Sequence, residues 1–422
     1  MSTIDKLLDQ IKLPQMIRVR QQFERPVVKD VTAELTKKLA AQNVLEVIEP
    51  GQRVALAVGS RGITNLPLLV KALIEEIKKY GGEPFIVPAM GSHGGATAEG
   101  QKKMLYGMGI TESMVGAPVM ATMETKQVGV SANGLPVFMD KFAYEADAIV
   151  IINRIKPHVG FRGKYESGLM KMITIGLGKQ KGADICHELG FGHMAENIPA
   201  IARVSLEKTN ILFGVAILEN AYHETCRIEV MKNREIEIKE PDLQEEAKRL
   251  SPHLYFNNLD VLIIDEIGKD ISGTGFDNNV VGRYHTPYIS GGPNITRISV
   301  LDLTDRSHGN ANGLGIVDFT TQRVFDKFRF KQTYLNSLTS TVPTSVKIPM
   351  VLKNDRQAIQ AAIKTCNILE KENVRLVRIK NTLSLSEIEA SENLLPEIIS
   401  NEHLEVLSLP YRLTFNSQGN LF

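Results

Sequence analysis

The sequence predicts an α/β fold: two α/β domains, each with a mostly parallel sheet flanked by helices. Three observations predict it. Short unbroken apolar runs of strand length recur along the chain. Such runs alternate with loops rich in glycine and charge and with segments of helical period, the succession that wraps a parallel sheet. At 422 residues the chain is too long for one typical core.

Taken in order, a preface of 50 residues leads to a buried strand over 53–59. Ser60-Arg61-Gly62-Ile63-Thr64-Asn65 then opens an amphipathic helix over 66–80, stopped by Gly81-Gly82. A strand over 84–88 runs into GlySerHisGlyGlyAlaThr and a helix over 97–108. A less regular stretch precedes the apolar strand 147–152, and a helix over 196–207 precedes a strand over 211–217. Val261–Ile264 is one more strand, ending in a loop that carries Lys269. After residue 285 the rhythm restarts: a strand over 295–303, helices over 319–335 and 355–370, and a strand over 375–379. These patterns predict a cofactor-binding, catalytic domain over 1–280 and a second domain over 281–422, closing over a cleft that holds the active site.

Composition excludes several classes. With 49 basic against 48 acidic side chains, the formal charge is +1, which argues against a nucleic-acid or membrane-surface protein. The 3 cysteines (Cys186, Cys226, Cys366) are odd in number and widely spaced, as in reduced cytosolic thiols. The first residues carry charges where a secretory signal needs an apolar core, and no run reaches membrane-spanning length. A cytoplasmic location is the expectation.

The chain is organised around residues 153–187. Ligands of open α/β sheets bind beyond the carboxyl ends of the strands. There, past the strand over 147–152, stand Arg154, Lys156, His158, Arg162 and Lys164, a set suited to a small anion. Further on, Lys171 is flanked by Met170 and Met172. A lysine buried among apolar neighbours must find a partner or lose its charge. Gly59-Ser60-Arg61-Gly62 lies between a strand and a helix, where free amides favour a phosphate and Arg61 can fork onto a carboxylate. His93 stands alone in a glycine-rich loop, a weak signal by itself. Standard metal signatures are absent: His187 and His193 are six apart, not four. His187 alone is a poor metal site, and makes sense only if a cofactor supplies the other ligands.

HisXaaGly at His158–Gly160, SerGlyXaaXaaLys at Ser167–Lys171, a glycine at 176 and a histidine at 187 resemble the nickel-pincer lactate racemase family. PheIleValProAlaMetGlySerHis over 85–93 and AlaValGlySerArg over 57–61 are similar to its upstream strand ends. The resemblance implies a nickel-pincer nucleotide covalently attached through Lys171, with His187 as the protein's nickel ligand and Gly59, Ser60, Gly160 and Gly168 lining the cofactor. It implies His93 and His158 as general bases, one for each stereoisomer of a 2-hydroxy acid. The C2 hydride is removed and returned through a 2-oxo acid, the reaction of a racemase or epimerase. Arg61, Arg154, Arg162, Lys164, Lys269 and Arg283 are the expected substrate-binding cations. An enlarged loop before Lys171, the absence of tryptophan and these extra cations suggest a substrate larger or more polar than lactate, a sugar acid or dicarboxylate. Implied partners are the substrate and the cofactor biosynthesis and insertion proteins, with an oligomer possible and no nucleic acid or membrane. A zinc-dependent hydrolase or isomerase, and a non-catalytic binder of an anionic metabolite, are the alternatives.

Overall fold

A computed structural model describes residues 2–60 and 62–422, the side chain of Asn336 excepted. The chain divides into two compact units, Arg25–Ser251 and Met1–Glu24 with Pro252–Phe422. The division falls at residue 251, not 280, for a reason of pairing. Strand Asn258–Ile267 hydrogen-bonds in parallel to both Asn294–Leu303 and Leu376–Ile379, so it belongs to the second sheet. The expected preface also contains a strand of that sheet: Met16–Gln21 pairs antiparallel with Glu387–Ser391 and Leu404–Val406.

Unit 25–251 is built on a five-stranded sheet in the order Glu83–Pro88, Arg53–Val58, Ala148–Arg154, Ile211–Glu219, Thr225–Lys232. The first four run parallel, and the last is antiparallel. Val54, Leu56, Val58, Val150 and Ile152 pack into one core beneath helix Leu66–Lys79, which contributes Leu69, Leu73 and Ile77. Each such buried branched side chain contributes about 1.5–3 kcal/mol, so the runs that read as strands are also the ones that anchor the unit. In chain order the strands stand second, first, third, fourth, fifth. The direction of winding therefore reverses between Arg53–Val58 and Ala148–Arg154, and such a switch point is where sheets of this type receive ligands. A hairpin, Thr125–Val130 with Pro136–Asp140, fills the irregular stretch that the sequence left unassigned.

The second unit carries an eight-stranded sheet, parallel from Met350–Leu352 across to Leu376–Ile379 and antiparallel beyond. A helix from 319 is not formed. Phe319–Thr321 is a buried strand, because two β-branched threonines turn their hydroxyls onto the carbonyls of Val300 and Leu301. Helices Gln322–Lys327 and Phe330–Ser340 follow it. Among the described residues, no helix is long and apolar enough to cross a membrane.

Candidate functional site

Three strand ends of unit 25–251 converge on the segment from Gly168 to His187. At the first, a side chain on Gly59 would lie 3.1 Å from the Met172 methyl and 3.4 Å from Asn153 Oδ1. The next residue, Ser60, places its Oγ 2.5 Å from Nδ1 of His93, which stands past the end of the neighbouring strand. At this second strand end Gly91 adopts φ +57 and donates its amide to the Gly176 carbonyl at 3.1 Å. A Cβ there would press on Ile175 and lie 3.7 Å from Ala183. At the third strand end, Asn153 donates to the Gly168 carbonyl at 2.9 Å. Arg61 lies outside the described residues.

Lys171 ends a single helical turn, Leu169–Lys171, and is followed by a π-helical turn, Met172–Gly176, in which the Leu177 amide reaches back to the Met172 carbonyl at 2.8 Å. Such wide turns recur at functional sites because they shift the side chains before and after them out of ordinary helical phase. Lys171 is half-buried between fully buried Met170 and Met172. The wholly buried lysine among the described residues is Lys179, eight residues on, which donates to the Pro88 carbonyl at 2.8 Å and to Gln101, with Asp140 at 3.4 Å. Burial pushes the Lys179 ammonium below its ordinary value and the Asp140 carboxyl above its own. Lys179 thus bolts the helix to a strand end, a structural part that no local pattern separates from Lys171.

His187 closes helix Lys179–His187. Its Nδ1 lies 2.7 Å from the Ala183 carbonyl, which can only accept, so Nδ1 carries the hydrogen and Nε2 the lone pair. Burial holds the imidazole below its ordinary pKa, the Ala183 bond opposes this, and the charge of Lys171 lowers it further. Lys171 is therefore within electrostatic reach of a neutral ring. Asn197, itself buried, donates to the Cys186 carbonyl at 3.3 Å and steadies this helix end.

His158 faces the same wall. The Phe191 ring lies 5.6 Å from His187 and 6.0 Å from His158, centroid to centroid. The loop of His158 is shaped by a residue not anticipated from the sequence, Glu166, which is 0% exposed. Its Oε2 accepts the His158 amide at 2.8 Å and Arg162 at 3.3 Å, while Lys248 approaches Oε1 at 3.0 Å. The Gly160 amide donates to Nδ1 of His158 at 3.0 Å. The neutral ring therefore carries its hydrogen on Nε2, the opposite polarity to His187.

Helix Asn233–Leu250 holds this loop from behind. Pro241, inside the helix, lacks the N–H that would bond the Glu237 carbonyl. Tyr165 fills the vacancy, donating its hydroxyl to that carbonyl at 2.8 Å. A polar segment with a proline in it gave the sequence no reason to count this helix as part of the site.

Several expected cations are engaged elsewhere. Arg154 pairs with Glu219, which also accepts the Thr64 amide at 2.7 Å. Arg162 donates to the His158 carbonyl at 2.9 Å. Lys164 lies over the Tyr165 ring at 5.6 Å. In the second unit, Lys269 donates to the Gly273 carbonyl, and Arg283 binds Asp318 and the carbonyls of Ile295, Thr296 and Ile316. Among the described residues no group of three or more His, Cys, Asp or Glu is gathered to hold a metal ion.

Residues 5–198 match the lactate racemase N-terminal domain family. The fold is similar to that of the lactate racemase apoprotein from Thermoanaerobacterium thermosaccharolyticum, with a TM-score of 0.52 at 13% identity, over 88% of this chain and 99% of that one. No curated protein matches the sequence. Residues 5–198 are thus similar to the lactate racemase N-terminal domain, and the chain shares its fold with a lactate racemase apoprotein.

Proposed function

We propose that the protein is an isomerase, a nickel-pincer-dependent racemase or epimerase that inverts C2 of a 2-hydroxy acid. The observation that carries this reading is the fixed tautomer of His187, whose Nδ1 bond to the Ala183 carbonyl leaves its lone pair on Nε2, in a ring whose pKa the charge of Lys171 helps to lower. That is the donor a tethered nickel cofactor needs when it brings its remaining ligands with it. Lys171 would carry the attachment and His187 the metal. Gly59, Ser60, Gly160 and Gly168 would border the group, whose bound form supplies a hydride acceptor.

The chain's own groups do the rest. His93, tied through Nδ1 to Ser60, is the general base for the substrate hydroxyl. His158, expected as the second base, accepts the Gly160 amide at Nδ1, so its neutral ring presents an N–H and serves instead as hydrogen-bond donor to that hydroxyl or its oxidised oxygen. Phe161 and Phe191 exclude water from this side of the rings. With Arg154, Arg162 and Arg283 committed to internal partners, a substrate larger or more polar than lactate draws its support from Lys164 and the enlarged loop.

The test is co-expression with pincer synthesis enzymes, followed by intact and peptide mass measurement and assay of lactate, sugar acids and dicarboxylates. A mass addition on the peptide with Lys171, lost nickel in His187→Ala, and racemisation at C2 are expected. A Lys171 peptide of unmodified mass together with no C2 inversion on any of these acids overturns the proposal.

A further inference from the structure

Glu240 is a buried acid for which the chemistry above has no use. It is 0% exposed, on helix Asn233–Leu250, and burial pushes its carboxyl up to about 7. Oε2 accepts the Met170 amide at 2.9 Å, and the Leu169 amide also stabilises the ionised form. Oε1 is buried with no hydrogen-bond partner among the described residues. It points at Gly168, where an added Cβ would collide with it. The backbone of Gly168 is extended, with φ −167, so conformation alone does not call for glycine there. The Gly168 carbonyl is itself held by Asn153, at 2.9 Å. The turn that presents Lys171 is thus gripped between a strand end and a carboxylate that comes from far along the chain.

We infer that Glu240 is the positioning residue for Lys171, and that position 168 is glycine because this carboxylate fills the space a side chain would need. Glu240 sets where the amine stands, without touching what the amine binds. The purpose assigned to that amine rests on the reading above, whereas the positioning itself is measurable on the cofactor-free chain.

A buried carboxylate with one idle oxygen costs stability unless something compensates. An ordinary structural cap would be served as well by a group that satisfies both its oxygens. The compensation here is local: two amides at the start of a turn too short to hold itself, immediately before the lysine.

Acetylation of the purified cofactor-free protein with N-acetoxysuccinimide, followed by peptide mass spectrometry, gives the rate at Lys171 relative to exposed Lys37. Glu240→Gln retains an oxygen acceptor and is expected to keep this ratio within about twofold, while Glu240→Ala releases the turn and raises it about tenfold. Glu240→Asp withdraws the carboxyl by one methylene and is expected to make Gly168→Ala tolerable, restoring the ratio and thermal midpoint that Gly168→Ala alone loses. An unchanged ratio in a folded Glu240→Ala protein overturns the inference. So does Gly168→Ala that is equally damaging with Glu240 and with Asp at 240, a comparison that stands even if the alanine variant does not fold. Mass addition on co-expression reports on the cofactor separately, so loss of one result leaves the other readable.

Discussion

The loop that carries His158 and the helix that carries His187 border the same phenylalanine, yet they orient their imidazoles by opposite means. His187 gives its Nδ1 hydrogen to a carbonyl one turn back in its own helix. That bond comes with the secondary structure and leaves Nε2 as a lone pair. His158 sits in a loop, and its Nδ1 instead receives an amide hydrogen from Gly160. The loop then has to be held by side chains: Glu166, Arg162 and Lys248 around it, Tyr165 and Glu240 behind it. On the proposed reading, a metal ligand needs one fixed lone pair, which a helix carbonyl supplies, while a group that offers a substrate hydroxyl a hydrogen needs the opposite polarity, which a glycine amide sets.

The largest effect that can break this contrast is on rate. His93→Ala should lower kcat for a 2-hydroxy acid by about 10²–10⁴-fold, the worth of a general base. His158→Gln, which keeps an N–H, should retain roughly ten times the rate of His158→Ala. Equal losses in the two His158 variants, measured on the loaded enzyme, would remove the polarity assigned to His158.

The next effect is on stability and belongs to the loop's support. Glu240 titrates at about 7 in the folded chain, against 4.5 for an ordinary glutamate, because burial disfavours its charge. The folded state then binds this proton more tightly than the unfolded one. Its unfolding free energy should therefore fall as pH rises from about 4.5 to about 7, by about 3 kcal/mol from this group alone. Below that window the contribution is fully present, and above it the contribution is gone. The difference between wild type and Glu240→Gln in urea unfolding at pH 5 and pH 8 isolates it. A difference that does not change with pH would mean that Glu240 titrates normally.

The smallest effect concerns the carbonyl left vacant by Pro241. Tyr165→Phe should cost about 1–2 kcal/mol, since a buried acceptor loses its donor. In a Pro241→Ala background the helix can supply its own N–H to Glu237, and the same change should cost less. Identical costs in both backgrounds would show that Tyr165 contributes through packing alone.

The parts of this molecule legible in the sequence are those that repeat a period or follow a strand. Val54–Val58 and Ile149–Ile152 announce themselves as apolar runs, and Ser60 and His93 follow from where such runs stop. Lys171 and His187 stand out only through the resemblance of their segment to a known family, since neither is a site signature by itself. Support from a distance was not legible: Glu240 meets Met170 across 70 residues of sequence, and no local pattern records that meeting. The same limit misplaced the division of the chain. Met16–Gln21 alternates weakly and reads as a preface, and only its partners at Glu387–Ser391 and Leu404–Val406 make it a strand. Lys179 was overlooked because charge in a sequence reads as surface, and its burial depends on Gln101 and Asp140 from two other elements.

That early strand has a consequence for how the chain comes off the ribosome. Residues 25–251 can be completed and folded as a continuous stretch. Met16–Gln21 emerges before all of them and must stay unpaired until residues 387–406 have been made, an interval of roughly 20–75 s at about 5–20 residues per second. During that time a strand bearing Ile17 and Val19 is exposed to chaperones and to neighbouring chains. Arg18 and Arg20, which alternate with them, keep it from pairing with copies of itself while it waits.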